Sequence, residues 1–481
     1  MIKLLIEKEL KTILLSPKFV SIFAVCTILI LMSIFIGILD YRASLTHYET
    51  NNTLNEQELK KQRYWSGLST SVSRYPDPMQ IFVSGIHNDI GKQASINTSG
   101  TIKLYRSNYT DNTIFAVFRS MDMMFIFQIV LSLFAVLFTY DAINGEREKG
   151  TLKLSFANPV PRSGYIIAKL IGSWLGLVIP LLIPFLLGIA MLLLYRVPME
   201  ATHWQRLGLF IILSVFYFSF FICLGVLMST LTRGSSGSFL YLLVIWVAFV
   251  LIIPRSGVMM AGKFKSVPTT AEISSKLSQN RRQLYDQLNE RQDKRYADLR
   301  SNLNTRPEGL TPEEYSARIN EMYSEMNKKN DEDRDQTMEE IRKYDALLNE
   351  DWRNRKAERE KLGFSLSRFS PASAYQLAVF DIAGTGLGLK TAYEDQLRNY
   401  RDIIINYRTK KEAEEGDQVI TSGSGRERKP LDISDMPRFK FTKAGIDKVI
   451  LGSLMDIAIL FIYTLLAITG TFIAFRRYDV R

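Results

Sequence analysis

Cysteine and histidine are scarce in this chain of 481 residues, which contains two cysteines and three histidines. Cys26 and Cys223 both lie inside long apolar runs, so we interpret them as packing residues. His47, His87 and His203 are far apart along the chain. Because no cluster of cysteine and histidine occurs, we predict no metal site of the zinc type.

A basic block beside stacking aromatic residues is also missing. The formal net charge is +11, and a basic balance of this kind can indicate binding to nucleic acid. Here, however, the lysines and arginines are interleaved with acidic residues along the chain. We therefore predict no nucleic-acid partner.

A nucleotide-binding loop is absent as well. Residues 384–391 resemble a phosphate loop, but Leu389 separates Gly388 from Lys390, whereas the Walker A pattern has glycine directly before lysine. We also find no paired carboxylates or other catalytic constellation near the apolar runs. We therefore predict no catalytic residues, no cofactor bound by this chain and no ATP hydrolysis by the chain itself.

Long apolar runs, in contrast, are abundant. Hydrophobic residues make up 47% of the chain and charged residues 23%, and a membrane-spanning helix needs about 20 mostly apolar residues. Six runs approach or exceed that length, at 19–39, 123–140, 165–195, 207–231, 239–254 and 449–475. We interpret the first run as a retained span because it is too long for a signal peptide. The sequence thus predicts an α-helical membrane protein with six transmembrane helices.

The distribution of basic residues predicts the orientation in the membrane. Positively charged residues on short loops mark the cytoplasmic side. They occur before the first run, between the second and third, and after the last, for example at Lys8, Arg147 and Arg477. We therefore predict a multi-pass chain with both termini in the cytoplasm and two large extracytoplasmic insertions.

The predicted organisation has seven parts. They are an amphipathic helix at 1–17, a first span at 18–40, a first insertion at 41–122, spans two to five at 123–254, a second insertion at 255–445, a sixth span at 446–476 and a tail at 477–481. Two long charged stretches in the second insertion carry facing apolar stripes, which predicts a helical hairpin at 272–360. The alternative is a charged, partly mobile extension.

The segment between the second and third runs is short, polar and mixed in charge. It reads Asp141-Ala-Ile-Asn-Gly-Glu-Arg-Glu-Lys-Gly-Thr-Leu152 and continues with Asn158-Pro-Val-Pro-Arg162. Residues from Asn144 onward can form a short helix with acids near its start and lysines toward its end, the order that a helix dipole favours. A solvated loop whose charges only set the topology is an equally open interpretation.

These motifs, followed by Ala168-Lys-Leu-Ile-Gly172, resemble the cytoplasmic coupling segment of type-2 ABC exporter permeases. The likeness extends to the set of spans and to the closing Arg477-Tyr-Asp-Val-Arg481. It is nearest to a subgroup that includes the permease of the nitrous-oxide-reductase maturation transporter and the sodium-efflux permeases. Residues Ser370 to Gly386 also resemble a stretch before the last span of that subgroup, and their amphipathic spacing predicts a helix resting on the outer membrane face.

The resemblance implies a bacterial inner membrane and several partners. A separate ABC ATPase subunit would bind ATP and magnesium, and a second permease copy, identical or different, would complete the transporter. Membrane lipid surrounds the spans, and a periplasmic accessory protein is a further candidate partner.

The resemblance also implies which residues couple the spans to the ATPase. The predicted ATPase-coupling residues are Asp141, Asn144, Gly145, Glu146, Arg147, Glu148, Lys149, Gly150, Thr151, Leu152, Pro159 and Arg162. The opposite charges from Glu146 to Lys149 would bind a groove of the ATPase. Separately, Gln128 and Asp456 lie inside apolar runs and form a candidate intramembrane polar site, although Asp456 is also compatible with a solvated position near the outer interface.

The function that follows is a permease subunit that couples ATP hydrolysis in a partner to export across, or extraction from, the inner membrane. The alternative is a mechanical device or assembly scaffold, in which the ATPase drives the hairpin against a periplasmic partner without transport. The size and polarity of the hairpin favour the alternative, and the coupling motif is common to both.

Overall fold

The computed structural model describes residues 2–65, 67–86, 93–97, 103–105, 122–157, 160–303, 311–415, 430–443 and 445–478. The chain forms two compact units, one made of Met1–Pro254 with Arg368–Arg481 and the other of Arg255–Ser367. The sequence had grouped 255–445 as one insertion, whereas the second unit ends at Ser367.

The described elements are fifteen α-helices, three strands, one 3-10 helix and two π-helical segments. The helices are α1 (Ile2–Leu14), α2 (Pro17–Lys61), α3 (Met123–Phe125), α4 (Ser132–Thr139), α5 (Asn144–Glu148), α6 (Thr151–Ala157), α7 (Arg162–Leu194), α8 (Ala201–Leu231), α9 (Ser235–Val247), α10 (Ile253–Phe264), α11 (Thr270–Leu303), α12 (Pro312–Ser367), α13 (Pro371–Ala383), α14 (Leu387–Glu415) and α15 (Ile446–Arg476). The strands are β1 (Ser69–Ser73), β2 (Gln93–Asn97) and β3 (Lys103–Tyr105).

Six of the described helices are long and apolar enough to cross a membrane. They are Pro17–Lys61, Met123–Glu148, Arg162–Leu194, Ala201–Leu231, Ser235–Phe264 and Ile446–Arg476. The π-helical segments Ile126–Leu131 and Ala248–Ile252 join α3 to α4 and α9 to α10. The predicted α-helical membrane fold with six spans is confirmed.

Helix α1 packs along the third span, α7, because two glycines of α7 leave room for it. A Cβ atom at Gly172 would lie 2.5 Å from Cβ of Glu9, and one at Gly176 would lie 3.2 Å from Cδ1 of Ile13. Glu9 and Ile13 are one turn apart and are the buried residues of α1. The predicted amphipathic helix therefore has its apolar face, and one acidic residue, against α7.

A second close contact, between α4 and α8, fixes the position of the segment that follows the second span. A Cβ atom at Gly225 of α8 would lie 1.7 Å from Oγ1 of Thr139, so only glycine allows α4 and α8 to approach this closely. Thr139 is the last residue of α4, and Asn144 begins α5 five residues later. The crossing therefore holds the start of α5 beside the end of α8.

Helix α13 is buried, and the prediction that it rests on a membrane face is wrong. Ser370 caps its first turn by accepting hydrogen bonds from the amides of Ala372 and Ser373, and Gly384 ends it with a positive φ of 68°. Most of its residues are buried, and it packs against α8 and α15. Its small residues, alanine and serine, allow this close packing on more than one side, which a search for one apolar face does not reveal.

The remainder of the first unit includes a small sheet with its own core. Strand β1 pairs antiparallel with β2, and β2 pairs antiparallel with β3. Apolar residues of the sheet pack against the end of α2, against α14 and against residues 431–441. The buried residues of this core include Val72 and Ile96 from the sheet, Leu59 from α2, and Leu397 and Ile404 from α14. Pro78–Ile81, which follow β1, form a 3-10 helix.

Asp77 links three segments of this unit through a buried carboxylate. It accepts a hydrogen bond from the Met79 amide at 3.0 Å, lies 3.4 Å from Nε2 of His203 and pairs with Lys443. Burial by itself would raise the pKa of Asp77, but the interactions with His203, Lys443 and the Met79 amide hold that pKa well below its usual range.

We expect Asp77→Asn to lower the free energy of unfolding by about 2–4 kcal/mol, because Lys443 loses its counter-charge in a largely buried site. Asp402→Asn is the matched control, since the Asp402 side chain is 62% exposed and pairs with the adjacent Arg401 at the surface. Thermal unfolding in detergent measures both variants.

The pH dependence of that effect has a definite sign. A carboxyl whose folded-state pKa is lowered stabilises the fold above its unfolded-state pKa of about 3.9 and loses this contribution as the pH falls below that value. The difference between wild type and Asp77→Asn should therefore stay constant from pH 8 to pH 6. A difference that disappears within that interval would contradict the assignment.

The second unit contains an antiparallel pair of long helices, as predicted. Arg281 of α11 pairs with Asp345 of α12, and Arg295 Nη1 donates to Oδ1 of Asn330 at 2.7 Å. A capping box begins α12: the Thr311 amide donates to Oε2 of Glu314 at 3.0 Å, and the Glu314 amide donates to Oγ1 of Thr311 at 3.3 Å. Several buried residues are eleven positions apart, namely Leu288 with Leu299, Met326 with Thr337 and Asn330 with Ile341. An eleven-residue spacing favours a shallow right-handed supercoil.

Candidate functional site

The predicted coupling segment folds as two short helices, α5 and α6, joined by a turn at Lys149 and Gly150. Gly150 has a φ of 73°, in the left-handed region that glycine adopts without strain, and no atom lies within 4 Å of the position of a Cβ there. The backbone conformation of the turn, and not lack of space, therefore favours glycine.

The start of α5 is bound to the end of α8 by hydrogen bonds. The backbone amides of Ile143 and Asn144 both donate to Oγ of Ser229, at 3.0 and 3.1 Å. Nδ2 of Asn144 donates to Oγ1 of Thr232 at 2.8 Å. The Asn144 side chain is fully buried, so this predicted coupling residue faces the protein and not a partner.

Glu146 lies in a network of buried charges. Its carboxylate accepts hydrogen bonds from Tyr165 Oη at 2.6 Å, Lys8 Nζ at 2.8 Å and Lys169 Nζ at 3.0 Å. Lys169 also pairs with Glu9 at 2.6 Å. The Lys169 ammonium on α7 is therefore shared by one carboxylate from α1 and one from α5, and together with Lys8 it balances their two negative charges.

The contribution of this network to the free energy of unfolding depends on how deeply its charges are buried. The exposed fractions of the side chains are 4% for Lys169, 10% for Glu9, 13% for Glu146 and 45% for Lys8. Burial raises the pKa of Glu9, although the Lys169 ammonium opposes that rise. Removing one partner of a buried ion pair typically costs about 3–5 kcal/mol, whereas an exposed pair contributes about 1 kcal/mol or less.

Arg147 binds Tyr478, the second residue after the last helix. Its guanidinium lies over the Tyr478 ring at 5.5 Å from the centroid, and Nη1 donates to the Tyr478 hydroxyl at 3.4 Å. Cation–π contacts of this kind contribute about 0.5–1 kcal/mol at exposed sites. The Arg147 side chain thus binds within its own chain, next to the apolar cluster that contains Ile143, Leu152 and Phe475.

Glu148 binds the start of the fifth span. Its Oε1 accepts a hydrogen bond from the backbone amide of Ser235 at 2.7 Å, and Ser235 is the first residue of α9. A carboxylate at this position satisfies a free amide and complements the positive end of the helix dipole.

The remaining predicted coupling residues have mixed environments. Thr151 Oγ1 donates to the Glu146 carbonyl at 3.2 Å, and the Asp141 carbonyl accepts from the Gly145 amide at 2.8 Å. Leu152 is 1% exposed. These residues stabilise the turns of the segment itself.

Arg162 and Pro159 complete the predicted set. Arg162 Nη1 donates to the carbonyl of Arg476 at 2.8 Å, which connects the start of α7 to the end of α15. Pro159 lies outside the described residues. The side chains of Lys149, Lys153 and Leu154 are exposed, and Leu154 is 70% exposed.

The two polar residues predicted inside the spans have separate partners. Nε2 of Gln128 lies 3.5 Å from the Ala372 carbonyl and 3.5 Å from Oε1 of Gln376, both in α13. Asp456 is fully buried and accepts two hydrogen bonds from Arg368, at 2.6 and 3.0 Å. The interpretation of Asp456 as solvated is therefore wrong, and the structure does not join it with Gln128 in one site.

Sequence reasoning missed several residues of the network, above all Glu9, Tyr165, Lys169 and Tyr478. Tyr165 and Lys169 are four residues apart and hence on one face of α7. A lysine within an apolar run is itself a sign of a buried partner. Among the described residues, no group of three or more His, Cys, Asp or Glu side chains is placed to hold a metal ion.

Comparison with known proteins matches this arrangement to one family. The family model described as ABC-2 family transporter protein matches residues 4–480. The chain belongs to the ABC-2 transporter family. It is a membrane-embedded permease subunit of an ABC transporter, a component of a type that is generally not itself catalytic and generally acts with an ATPase as a dimer. No curated protein matches the chain.

We expect Lys169→Met to destabilise this ABC-2 permease by about 3–5 kcal/mol, because the buried Glu9 carboxylate then loses its cation and Glu146 keeps only the partly exposed Lys8. Lys8→Met is the matched control: Lys8 is 45% exposed, and its loss should cost about 1 kcal/mol or less. Thermal unfolding in detergent or nanodiscs compares the two. Equal effects of the two changes would show that Lys169 does not hold the network together.

Proposed function

We propose that this chain is the permease of a bacterial type-2 exporter in the inner membrane, with both termini in the cytoplasm. Two permeases would pair, and two copies of a separate ATPase would bind ATP and magnesium and contact the α5–α6 segment. The single observation that supports this best is the construction of that segment. Its residues bind α1, α7, α8, α9 and the tail. Arg147 and Glu148 are exposed but are engaged in these contacts, whereas the exposed Lys149, Lys153 and Leu154 extend beyond them.

The contacts of α5 support a common location for both chain ends. Lys8 near the start of the chain binds Glu146, and Tyr478 near its end binds Arg147. An ATPase that contacts α5 from the cytoplasm therefore requires α1 and the tail to be on the cytoplasmic side too. This agrees with the excess of basic residues on the same segments.

The structure changes the roles we propose for the charged residues of α5. Glu146, Arg147 and Glu148 are engaged within the chain, so they hold the helix in place instead of supplying free charges to a groove. Lys149, Lys153 and Leu154 are the residues we propose to contact the ATPase. A positive pair beside an exposed leucine fits an acidic, partly apolar groove.

The double change Lys149→Glu with Lys153→Glu should reduce co-purification of the ATPase at least about tenfold, because charge reversal repels an acidic groove. Both side chains are exposed, so the stability of the permease should not change. Lys60→Glu, at the exposed end of α2, is the matched control. The measurement is a pull-down of the tagged chain in mild detergent, with mass spectrometry and an ATPase assay of the eluate.

Glu146→Arg completes this comparison. It places a third cation beside Lys8 and Lys169, so it should disturb the position of α5 and uncouple ATP hydrolysis from transport. Full co-purification and coupling in the double lysine variant would place the ATPase contact elsewhere. Full coupling in Glu146→Arg would show that the charge network is not needed to transmit motion.

The subgroup and the direction of transport also belong to this proposal. The motifs at 141–152, 158–162 and 370–386 resemble the permeases of nitrous-oxide-reductase maturation and sodium efflux. We propose membership of that subgroup, and export or extraction as the direction, on these motifs.

A second candidate function is favoured by the Arg255–Ser367 unit. Its two long helices form a hairpin stabilised by polar as well as apolar contacts, including Arg281 with Asp345 and Arg295 with Asn330. A long helical pair of this kind suits a mechanical role, in which the ATPase drives the hairpin against a periplasmic partner.

Deleting 275–350 tests the role of the hairpin. Since Arg281 lies opposite Asp345, residues 275 and 350 are expected to lie across from each other, so a short linker can join them. We expect the deletion to preserve co-purification of the ATPase and to abolish complementation of a strain that lacks the permease. Full complementation would show that the hairpin is dispensable and would remove the mechanical alternative.

A further inference from the structure

Three aromatic rings form a continuous stack beside α5. The rings of Tyr165 and Phe475 have centroids 5.4 Å apart and planes inclined by 15°, and those of Phe475 and Tyr478 are 5.6 Å apart and inclined by 14°. Tyr165 lies in the first turn of α7, Phe475 in the last turn of α15, and Tyr478 just beyond α15. Phe156 of α6 packs against the first two rings.

The two ends of this stack hold two neighbouring residues of α5. At one end, the Tyr165 hydroxyl donates to Oε2 of Glu146 at 2.6 Å. At the other end, the Tyr478 ring lies beneath the Arg147 guanidinium, and its hydroxyl accepts from Nη1 of Arg147. Successive residues of a helix point about 100° apart. Holding both residues therefore fixes the rotation of α5 about its axis as well as its position.

We propose that Tyr478 is a positioning residue for the coupling helix α5. Through the stack it sets the rotation of α5, so that Lys149 faces outward, and it makes α5 move together with the last span. The hydrogen bond from Arg162 to the Arg476 carbonyl ties α7 to the same end of α15. The inference rests on the proposed function of α5, but the position of α5 can be measured without the ATPase.

The chemistry of Tyr478 separates its two contributions. Its ring supplies both the stacking contact with Phe475 and the cation–π contact with Arg147, whereas its hydroxyl supplies one long hydrogen bond of 3.4 Å. The side chain is 8% exposed, so the ring has an enclosed site. Phenylalanine at this position should thus preserve most of the effect, and leucine should lose it.

The first test is hydrogen–deuterium exchange of the permease alone in nanodiscs. Tyr478→Leu should increase exchange of the amides at 144–149 about tenfold, while Tyr478→Phe should increase it less than about threefold. Tyr241→Leu is the matched control, because Tyr241 is 61% exposed on α9 and makes no stack of this kind. The increase should be confined to α5 and α6 and absent from α8.

If Tyr478→Leu loosens the whole protein, Arg147→Lys provides the second measurement. It keeps the charge but removes the planar guanidinium that lies on the ring, so exchange of 144–149 should rise, whereas Lys149→Gln should have no effect. Unchanged exchange at 144–149 in both Tyr478→Leu and Arg147→Lys would overturn the inference.

A second arm adds the co-purified ATPase. Tyr478→Leu should keep ATPase binding but lose coupling between hydrolysis and transport, and Tyr478→Phe should restore coupling. Full coupling in Tyr478→Leu would overturn the inference while leaving the proposed function intact. Altered exchange in a permease whose α5 contacts no ATPase would instead support the positioning role and overturn the proposed function.

Discussion

The arrangement of the coupling segment depends on the ammonium group of Lys169. It lies on the third span and is shared by Glu9 of the first helix and Glu146 of α5. Buried charges are tolerated only when they are paired, so these three helices cannot separate at this point without leaving a charge exposed to an apolar environment. The glycine at 172 makes the arrangement possible, because a side chain there would occupy the space of Glu9.

Around this charge network, nearly every inward contact of α5 is made by a different helix. Ser229 and Thr232 hold its start, Ser235 binds Glu148, and Tyr478 binds Arg147. A helix of five residues has no stability of its own. Its conformation is therefore supplied by the ends of the spans, and a force applied to α5 acts on all of these spans together.

The sequence predicts the spans well because apolar length is a strong signal, and it predicts the helical hairpin from the apolar stripes of two charged stretches. It also identifies the segment at 141–152 as unusual. It does not reveal that Glu146 points inward, since a charged residue in a polar loop has no periodic pattern to show its direction. Arg368 and Asp456 are 88 positions apart, and only the fold brings them together.

The burial of α13 escaped prediction for a related reason. Alanine and serine carry little hydrophobic signal, yet their small size is what permits a helix to be enclosed on several sides. Small and polar residues therefore predict the burial of a helix poorly in places where close packing determines the structure. Apolar runs and helix caps predict the positions of helices well.

The eleven-residue repeat of the hairpin has a mechanical consequence. Helices that meet every eleven residues wind around each other in a shallow right-handed sense, so α11 and α12 can act together as one long beam. Helix α11, with 34 residues, is about 50 Å long at a rise of about 1.5 Å per residue. A tilt of about 10° at one end of such a beam displaces the other end by about 9 Å, so a small angular change is converted into a large stroke with little lost to coiling.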